Sequence, residues 1–396
     1  MEKLKDNLIV RLLVGVALGL AIGLNASATV IGVIDTIKFL LGQIIFFTVP
    51  LIIFGFIAPA ITQMKSNASK MLGAMVGLAY TSSVCAALMS MVAGYAIIPH
   101  LNIITNPEGL KKLPELIFKV EVPPPFSVMT ALALALMGGL AIIWTKSEKC
   151  EAILDEIQNI MMAIVNKIII PILPVFVATT FAGLAYEGGI TKQLPVFLQV
   201  IVIVMLGHYI WLAVLYSLAG VISGRNPWEV LKHYGPAYLT AVGTMSSAAT
   251  LPIALSCARK SKVLDREVTD FAIPLGATVH LCGSVLTEVF FCMTISKILY
   301  GQIPPLGTML LFIFLLGIFA VGAPGVPGGT VMASLGIIIS VLGFKENGTA
   351  LMLTVFALQD SFGTACNVTG DGALALMLNG LFKNSILESR KNGQQQ

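Results

Sequence analysis

Charge is what this chain has least of. Of 396 residues, only 11% are Asp, Glu, Lys or Arg, against 57% hydrophobic. A soluble domain carries about 25% charged residues to keep its surface wetted, so a water-soluble globule is excluded. One very large buried core is excluded too, because the apolar runs recur along nearly the whole length. The medium such a chain needs is a lipid bilayer, crossed by runs of roughly 20 apolar residues. Nucleic acid is excluded as a partner: the net charge is only +4, and the basic residues are scattered at the ends of apolar segments. Cys85, Cys150, Cys257, Cys282, Cys292 and Cys366 show neither paired nor metal-like spacing. They read as small core residues rather than a disulfide framework or a transition-metal site, and no cofactor is called for. No Ala-x-Ala-like cleavage site follows the charged N-terminus and its apolar run, so that run reads as a first span rather than a removed signal peptide.

The remaining apolar runs give the plan of an all-α integral membrane protein. Leu8–Leu24, Phe39–Ile61, Met71–Ile98, Phe126–Trp144, Ile157–Tyr186 and Leu194–Ser223 are the first to sixth spans. Residues 99–125, with the run Pro123-Pro124-Pro125, form an extramembrane excursion. After Ser223 the pattern changes. Asn226–Cys257 holds Gly243-Thr244-Met245-Ser246-Ser247-Ala248-Ala249-Thr250-Leu251-Pro252, and such Gly/Ser/Thr-rich backbone survives at membrane depth only where protein buries it or it lines a cavity. Two half-length helices meeting at that tip make a re-entrant hairpin. Phe271–Leu299 is a span broken near Gly276 and Gly283. Leu306–Gly343 repeats the irregular theme around Val321-Gly322-Ala323-Pro324-Gly325-Val326-Pro327-Gly328-Gly329-Thr330, and Ala350–Phe382 is the last span.

The expected fold is therefore eight transmembrane helices plus two re-entrant helical hairpins, and paired interrupted segments point to a transporter's binding site. On this plan Lys65, Lys70, Lys146, Lys149, Arg225 and Arg259 are among the many cations on one side. Lys38, Lys111, Lys112, Lys119, Lys192 and Lys345 are the few on the other. That bias puts both termini in the cytoplasm of a plasma-membrane protein.

Asp360, Thr364, Asn367 and Asp371 recur at helical spacing in the last span and share one face. Two carboxylates and an amide in a membrane helix are expensive and by default functional; the bland alternative is a polar seam joining helices. An ionised Asp accepts hydrogen bonds from an ammonium group or ligates a hard cation such as sodium.

Four elements resemble the dicarboxylate/amino acid:cation symporter family, in the family's order. They are the Ser246–Pro252 tip, the run Gly276-Ala277-Thr278-Val279-His280-Leu281-Cys282-Gly283-Ser284, the Gly322–Gly329 tip, and Asp360–Asp371. The first half of the chain matches in span plan only. The resemblance implies an elevator-type fold with inverted repeats, assembled as a homotrimer in the lipid bilayer. Residues 1–225 would be mainly scaffold and trimerisation spans, the third span and part of the sixth adding to the core. Residues 226–385 would be the transport core and 386–396 a cytoplasmic tail. It further implies that Asp360 holds a substrate α-amino group and that Asn367 meets its α-carboxylate, aided by backbone N–H groups near Ser246 and Ser247. Thr364 takes the neighbouring position. Asn367, through its carbonyl, and Asp371 would serve one sodium ion, Thr81 and Ser82 match two ligands of another, and Gly276, His280 and Ser284 fall at cation-site positions.

The departures narrow this reading. Gly363 stands where acidic-substrate members carry an arginine, and Met245 replaces another common arginine. A guanidinium clamps a carboxylate in a way Gly cannot, which favours a neutral amino acid over an acidic amino acid or four-carbon dicarboxylate. His280 and Cys282 replace the Asn and Asp of the family motif, which should weaken that sodium site. Glu288 falls where proton-coupled members carry their glutamate, and His280 is a second candidate for handling protons. The alternative is that Glu288 bonds a neighbouring hydroxyl and His280 packs neutral.

The expectation is thus a secondary active symporter taking a small amino acid into the cell with sodium, protons or both. An anion-conducting channel is the competing class. An intramembrane enzyme built on Ser246, His280 and Asp360 lacks a nucleophile-elbow context. His208 and Tyr209 read as scaffold packing, and Lys167 as a snorkelling or locally paired cation. Asn67-Ala68-Ser69, Asn347-Gly348-Thr349 and Asn367-Val368-Thr369 fit the glycosylation pattern but carry little information.

Overall fold

A computed structural model describes residues 8–63, 70–103, 112–188 and 190–382. The expected tail (386–396), Lys65, Lys111 and the Asn67–Ser69 pattern lie outside the described residues. Among the described residues there is helix and connecting chain, and no strand. The first half comprises α1 (Leu8–Asn25), α2 (Ala28–Gln63), α3 (Lys70–Ile97), α4 (Val128–Thr145), α5 (Glu148–Ile164), α6 (Ile170–Glu187) and α7 (Ile190–Ser223). After the short α8 (Trp228–Leu231) come α9 (Gly235–Thr244), α10 (Ser247–Ala258), α11 (Arg266–Val279), α12 (Cys282–Tyr300), α13 (Leu306–Gly322), α14 (Gly329–Ser340) and α15 (Glu346–Leu381).

Several boundaries differ from the sequence expectation, two of them for identifiable physical reasons. The second span begins at Ala28, not Phe39, because Asp35 and Lys38, which look like loop charges, pair one turn apart inside the helix. At 36 residues α2 is about 54 Å long at 1.5 Å per residue, more than the roughly 30 Å of hydrocarbon. The fifth span starts at Glu148 and carries a π-turn at Val165–Ile169, where Ile170 N–H reaches back to Val165 O. Pro171 follows directly and has no N–H to donate, so the helix accommodates it with one wide turn. The last helix starts at Glu346 rather than Ala350.

The excursion after α3 is pinned along α2. Ile117 N–H donates to Thr36 Oγ1 at 3.0 Å and Val122 N–H to Gln43 Oε1 at 2.9 Å.

By length and composition, five helical segments among the described residues can cross a membrane: Ala28–Pro59, Lys70–His100, Glu148–Glu187, Pro195–Ser223 and Arg266–Tyr300. α1 and α4 are shorter, and α15 is long but interrupts its apolar residues with a polar stripe. On α7, Leu198, Val202, Leu206, Ile210 and Leu218 recur every four or eight residues and are exposed, an apolar stripe suited to hydrocarbon.

Two contacts set the frame. Gly15, Gly19 and Gly23 form a ridge on α1 that lies against α6; a Cβ there would come within 2.6, 2.2 and 2.2 Å of the carbonyl oxygens of Pro174, Ala178 and Ala182. Only glycine lets two backbones approach so closely. α15, buried along nearly its whole length, packs against α7, α9, α11 and α12.

Candidate functional site

Broken backbone positions the site. α9 and α10 are joined through Met245, whose φ of +53° is left-handed, and Ser246. Ser246 caps α10 by accepting Ala249 N–H at 3.2 Å. α11 stops at Val279 and α12 starts at Cys282, with extended backbone at His280 between them. α13 and α14 are joined by residues 323–328, ending at Gly328 with φ +70°. The two tips touch: Ser246 Oγ donates to Gly325 O at 2.7 Å, and Ala248 N–H approaches the same oxygen at 3.3 Å. Gly325 has to be glycine, since a Cβ would sit 2.8 Å from Ala277 O.

The stripe on α15 faces these breaks, and all four of its members are buried. Asp360 Oδ2 accepts the backbone N–H of Gly328 at 2.7 Å, and the Thr364 hydroxyl lies 3.5 Å from Asp360 Oδ1. Asn367 Oδ1 accepts N–H from Gly283 at 2.7 Å and Ser284 at 3.2 Å, while its Nδ2 donates to Ser284 Oγ at 2.9 Å. α12 has Leu281 at its N-cap position, which offers no side-chain acceptor, so Asn367 caps it from the neighbouring helix. Asp371 Oδ1 pairs with His280 Nδ1 at 2.9 Å, and His280 Nε2 meets Ser82 Oγ at 2.9 Å.

A small cavity gathers much of this set. Met245, Ser247, Leu281, Ser284, Gly325, Val326, Thr330, Asp360, Thr364 and Asn367 line it together with Pro324, and its volume is about 10 Å3, room for one water. Asp360 is the one charged side chain among these lining residues. Ser247, Ser284 and Thr330 lie in the first turns of α10, α12 and α14, so three helix N-termini converge here. A second cavity, about 330 Å3, shares Pro324 and Gly325 with it and is also lined by Phe56, Met162 and Ala248.

The other expected residues distribute differently. Gly363 sits against α12, where a Cβ would touch Ser284 N, Cα and Oγ at 3.4 Å. Ser82 joins the His280 cluster, whereas Thr81 is exposed, because successive residues on a helix point about 100° apart. Gly276 O accepts His280 N–H at 3.0 Å, and Gly276 packs on Asp371, which a Cβ would meet at 2.7 Å. As arranged, the Asn367 carbonyl, the Ser82 hydroxyl and the paired Asp371 oxygen are committed to protein partners, so they do not form an open oxygen cage for sodium. Glu288 is fully buried; Ser334 Oγ donates to its Oε1, and its Oε2 has no partner among the described residues.

Sequence reasoning missed two features. His208, expected to be packing, places Nε2 3.0 Å from Gly283 O and 2.9 Å from Thr287 Oγ1, and Thr287 donates to Gln359 Oε1 at 3.0 Å. The Ser82–His280–Asp371 line joins α3, the α11–α12 break and α15, and no local motif announces it.

A family model described as the sodium:dicarboxylate symporter family matches residues 8–381. Among curated proteins, human excitatory amino acid transporter 2 is 28% identical over 236 residues, 58% of this chain and 40% of that protein. Human excitatory amino acid transporter 1 is 28% identical over 276 residues, 67% of this chain and 50% of that protein. The same-named protein of Ambystoma tigrinum is 26% identical over 276 residues, with 67% and 50% covered. These matches span half or less of the relatives' own lengths. With the family model covering nearly its whole length, this chain belongs to the sodium:dicarboxylate symporter family.

Proposed function

We propose that the chain is a secondary active symporter that moves a small amino acid together with a cation. One observation carries the reading: three helix N-termini and a single carboxylate, Asp360, converge on one cavity. Helix N-termini attract anions through the helix dipole and their N–H groups, of which Asn367 already takes those of Gly283 and Ser284 on α12. A carboxylate accepts from an ammonium. The pair of features suits a zwitterion, with the α-carboxylate toward Ser247, Ser284 and Thr330 and the α-amino group on Asp360. Because the cavity holds only about 10 Å3, substrate entry requires the tips to part, and the larger cavity beside Gly325 offers an approach.

The eight-span, two-hairpin elevator arrangement, the homotrimer and cytoplasmic termini remain part of this proposal. The relatives' names speak for an excitatory amino acid, and the family's description for a dicarboxylate and for sodium as coupling ion, which together favour an acidic substrate. A neutral amino acid is the second reading, favoured by Gly363 and by a cavity with no Lys or Arg among its lining residues. Glu288, with one open carboxyl oxygen, is the candidate for a co-transported proton.

Counterflow in proteoliposomes tests the proposal. Vesicles preloaded with L-aspartate or L-alanine are given labelled substrate, with and without sodium and with or without a pH gradient. Trans-stimulated uptake is the expected result. Its absence with every amino acid, or ion flux without counterflow, would favour a channel and overturn the symporter reading.

A further inference from the structure

His280 occupies an unusual position for an imidazole. It sits at the α11–α12 break, where extended backbone aims the ring between α3 and α15. Ser82 on α3 and Asp371 on α15 would otherwise face each other across a buried gap. His280 and Asp371 are 0% and 1% exposed, and Ser82 is 6% exposed. The ring fills that gap at 2.9 Å from each partner. With the Asp371 carboxylate accepting from Nδ1–H, Nε2 is left to pair with the Ser82 hydroxyl. Packing holds the ring there: a Cβ on Gly370 would lie 2.8 Å from His280 Cε1, and one on Gly276 would lie 2.7 Å from Asp371 Oδ1.

A hydroxyl, a carboxylate and neighbouring main-chain carbonyls are the oxygen donors a hard cation takes. We propose that the His280 imidazole is a tethered occupant of a cation site between Ser82 and Asp371, so that this pair takes no sodium while the ring is in place. The chain thereby fills internally a place that a diffusible ion would otherwise fill, and any sodium it carries must bind elsewhere. This inference rests on the reading that the core carries coupling ions. The ring excludes the ion by volume and by engaging both partners, whichever protonation state it holds.

The proposal makes a gain-of-function prediction. His280→Ala opens a void lined by Ser82 and by a carboxylate that has lost its partner, and sodium should enter it. The experiment measures the Tm of purified full-length protein while sodium chloride replaces choline chloride at constant ionic strength, without substrate. Binding to the native state raises Tm. His280→Ala should show a saturable sodium-dependent rise beyond that of the wild type, and His280→Ala with Asp371→Asn should lose that extra rise. Equal sodium responses in folded wild type and His280→Ala would overturn the proposal. A second arm applies even if His280→Ala does not fold: in the wild-type background, Ser82→Ala should leave the sodium response as it was. Loss of the response there would mean that sodium already binds at Ser82, and the proposal would fall. Counterflow judges transport separately: a silent transport assay with the extra sodium response present would sink the symporter reading and leave this one standing.

Discussion

Asp360 on α15 accepts the backbone N–H of Gly328 at 2.7 Å, so the cavity's charged side chain also holds the tip between α13 and α14. On the proposed function, substrate and tip compete for one carboxylate, and two substitutions separate the roles. Asp360→Asn keeps a carbonyl oxygen for Gly328 but cannot pair with an ammonium as an anion. Its expected outcome is near-native Tm with amino-acid uptake reduced at least 100-fold, about 3 kcal/mol of lost interaction, in line with a charge-assisted hydrogen bond. Asp360→Ala should in addition raise proteolysis and hydrogen exchange at residues 323–328.

Asn367 caps α12 across a helix boundary. Asn367→Ala leaves two buried N–H groups unpaired, each costing about 1–3 kcal/mol. Asn367→Asp retains the acceptor and should destabilise less. Thermal unfolding in detergent should rank the wild type first, then Asp, then Ala, with amide exchange at Gly283 and Ser284 fastest in the Ala variant.

The glycine ridge on α1 predicts a purely steric effect. Gly19→Leu places a Cβ 2.2 Å from Ala178 O, so α1 and α6 must separate. Overpacking of this kind costs about 1–3 kcal/mol or more. The variant should lower Tm and broaden the size-exclusion peak, whereas Gly73→Leu, with open space around its Cβ position, should do neither.

Glu288→Gln tests proton carriage without removing packing, because the amide oxygen still accepts from Ser334. Concentrative uptake driven by an imposed pH gradient should fall to background, while exchange of internal for external substrate persists. Uptake driven equally well in the variant would remove Glu288 from the coupling mechanism.

Much of the architecture was legible because the punctuation is chemical. The Gly/Pro run at 322–329 and the start of the Ser-rich run at Met245–Ser246 mark two of the helix breaks, although residues 247–252 are helical in α10, and Asp360 to Asp371 share one helix face as their spacing requires. The start of α2 was hidden because Asp35 and Lys38 cancel each other, a pairing that composition does not reveal. Ser82, His280 and Asp371 were individually visible, but the partners lie 198 and 91 residues from His280 along the chain. Their contact depends on the angle at which α11 breaks. Thr81 shows the same limit in reverse: adjacent to Ser82 in sequence, it points elsewhere because a helix rotates between them. The second function of Asn367, as a cap, could not be read from α15 alone.

The ridge of Gly15, Gly19 and Gly23 also bears on biogenesis. α1 leaves the ribosome long before α6, yet its closest backbone neighbours, Pro174, Ala178 and Ala182, all belong to α6. Until that partner is synthesised, the glycine face of α1 lacks the backbone it packs against. Assembly must then proceed in two stages, insertion first and lateral docking later. The docking surface offers no large side chains to a wrong partner during the wait, and closes only against a helix whose own backbone comes as near.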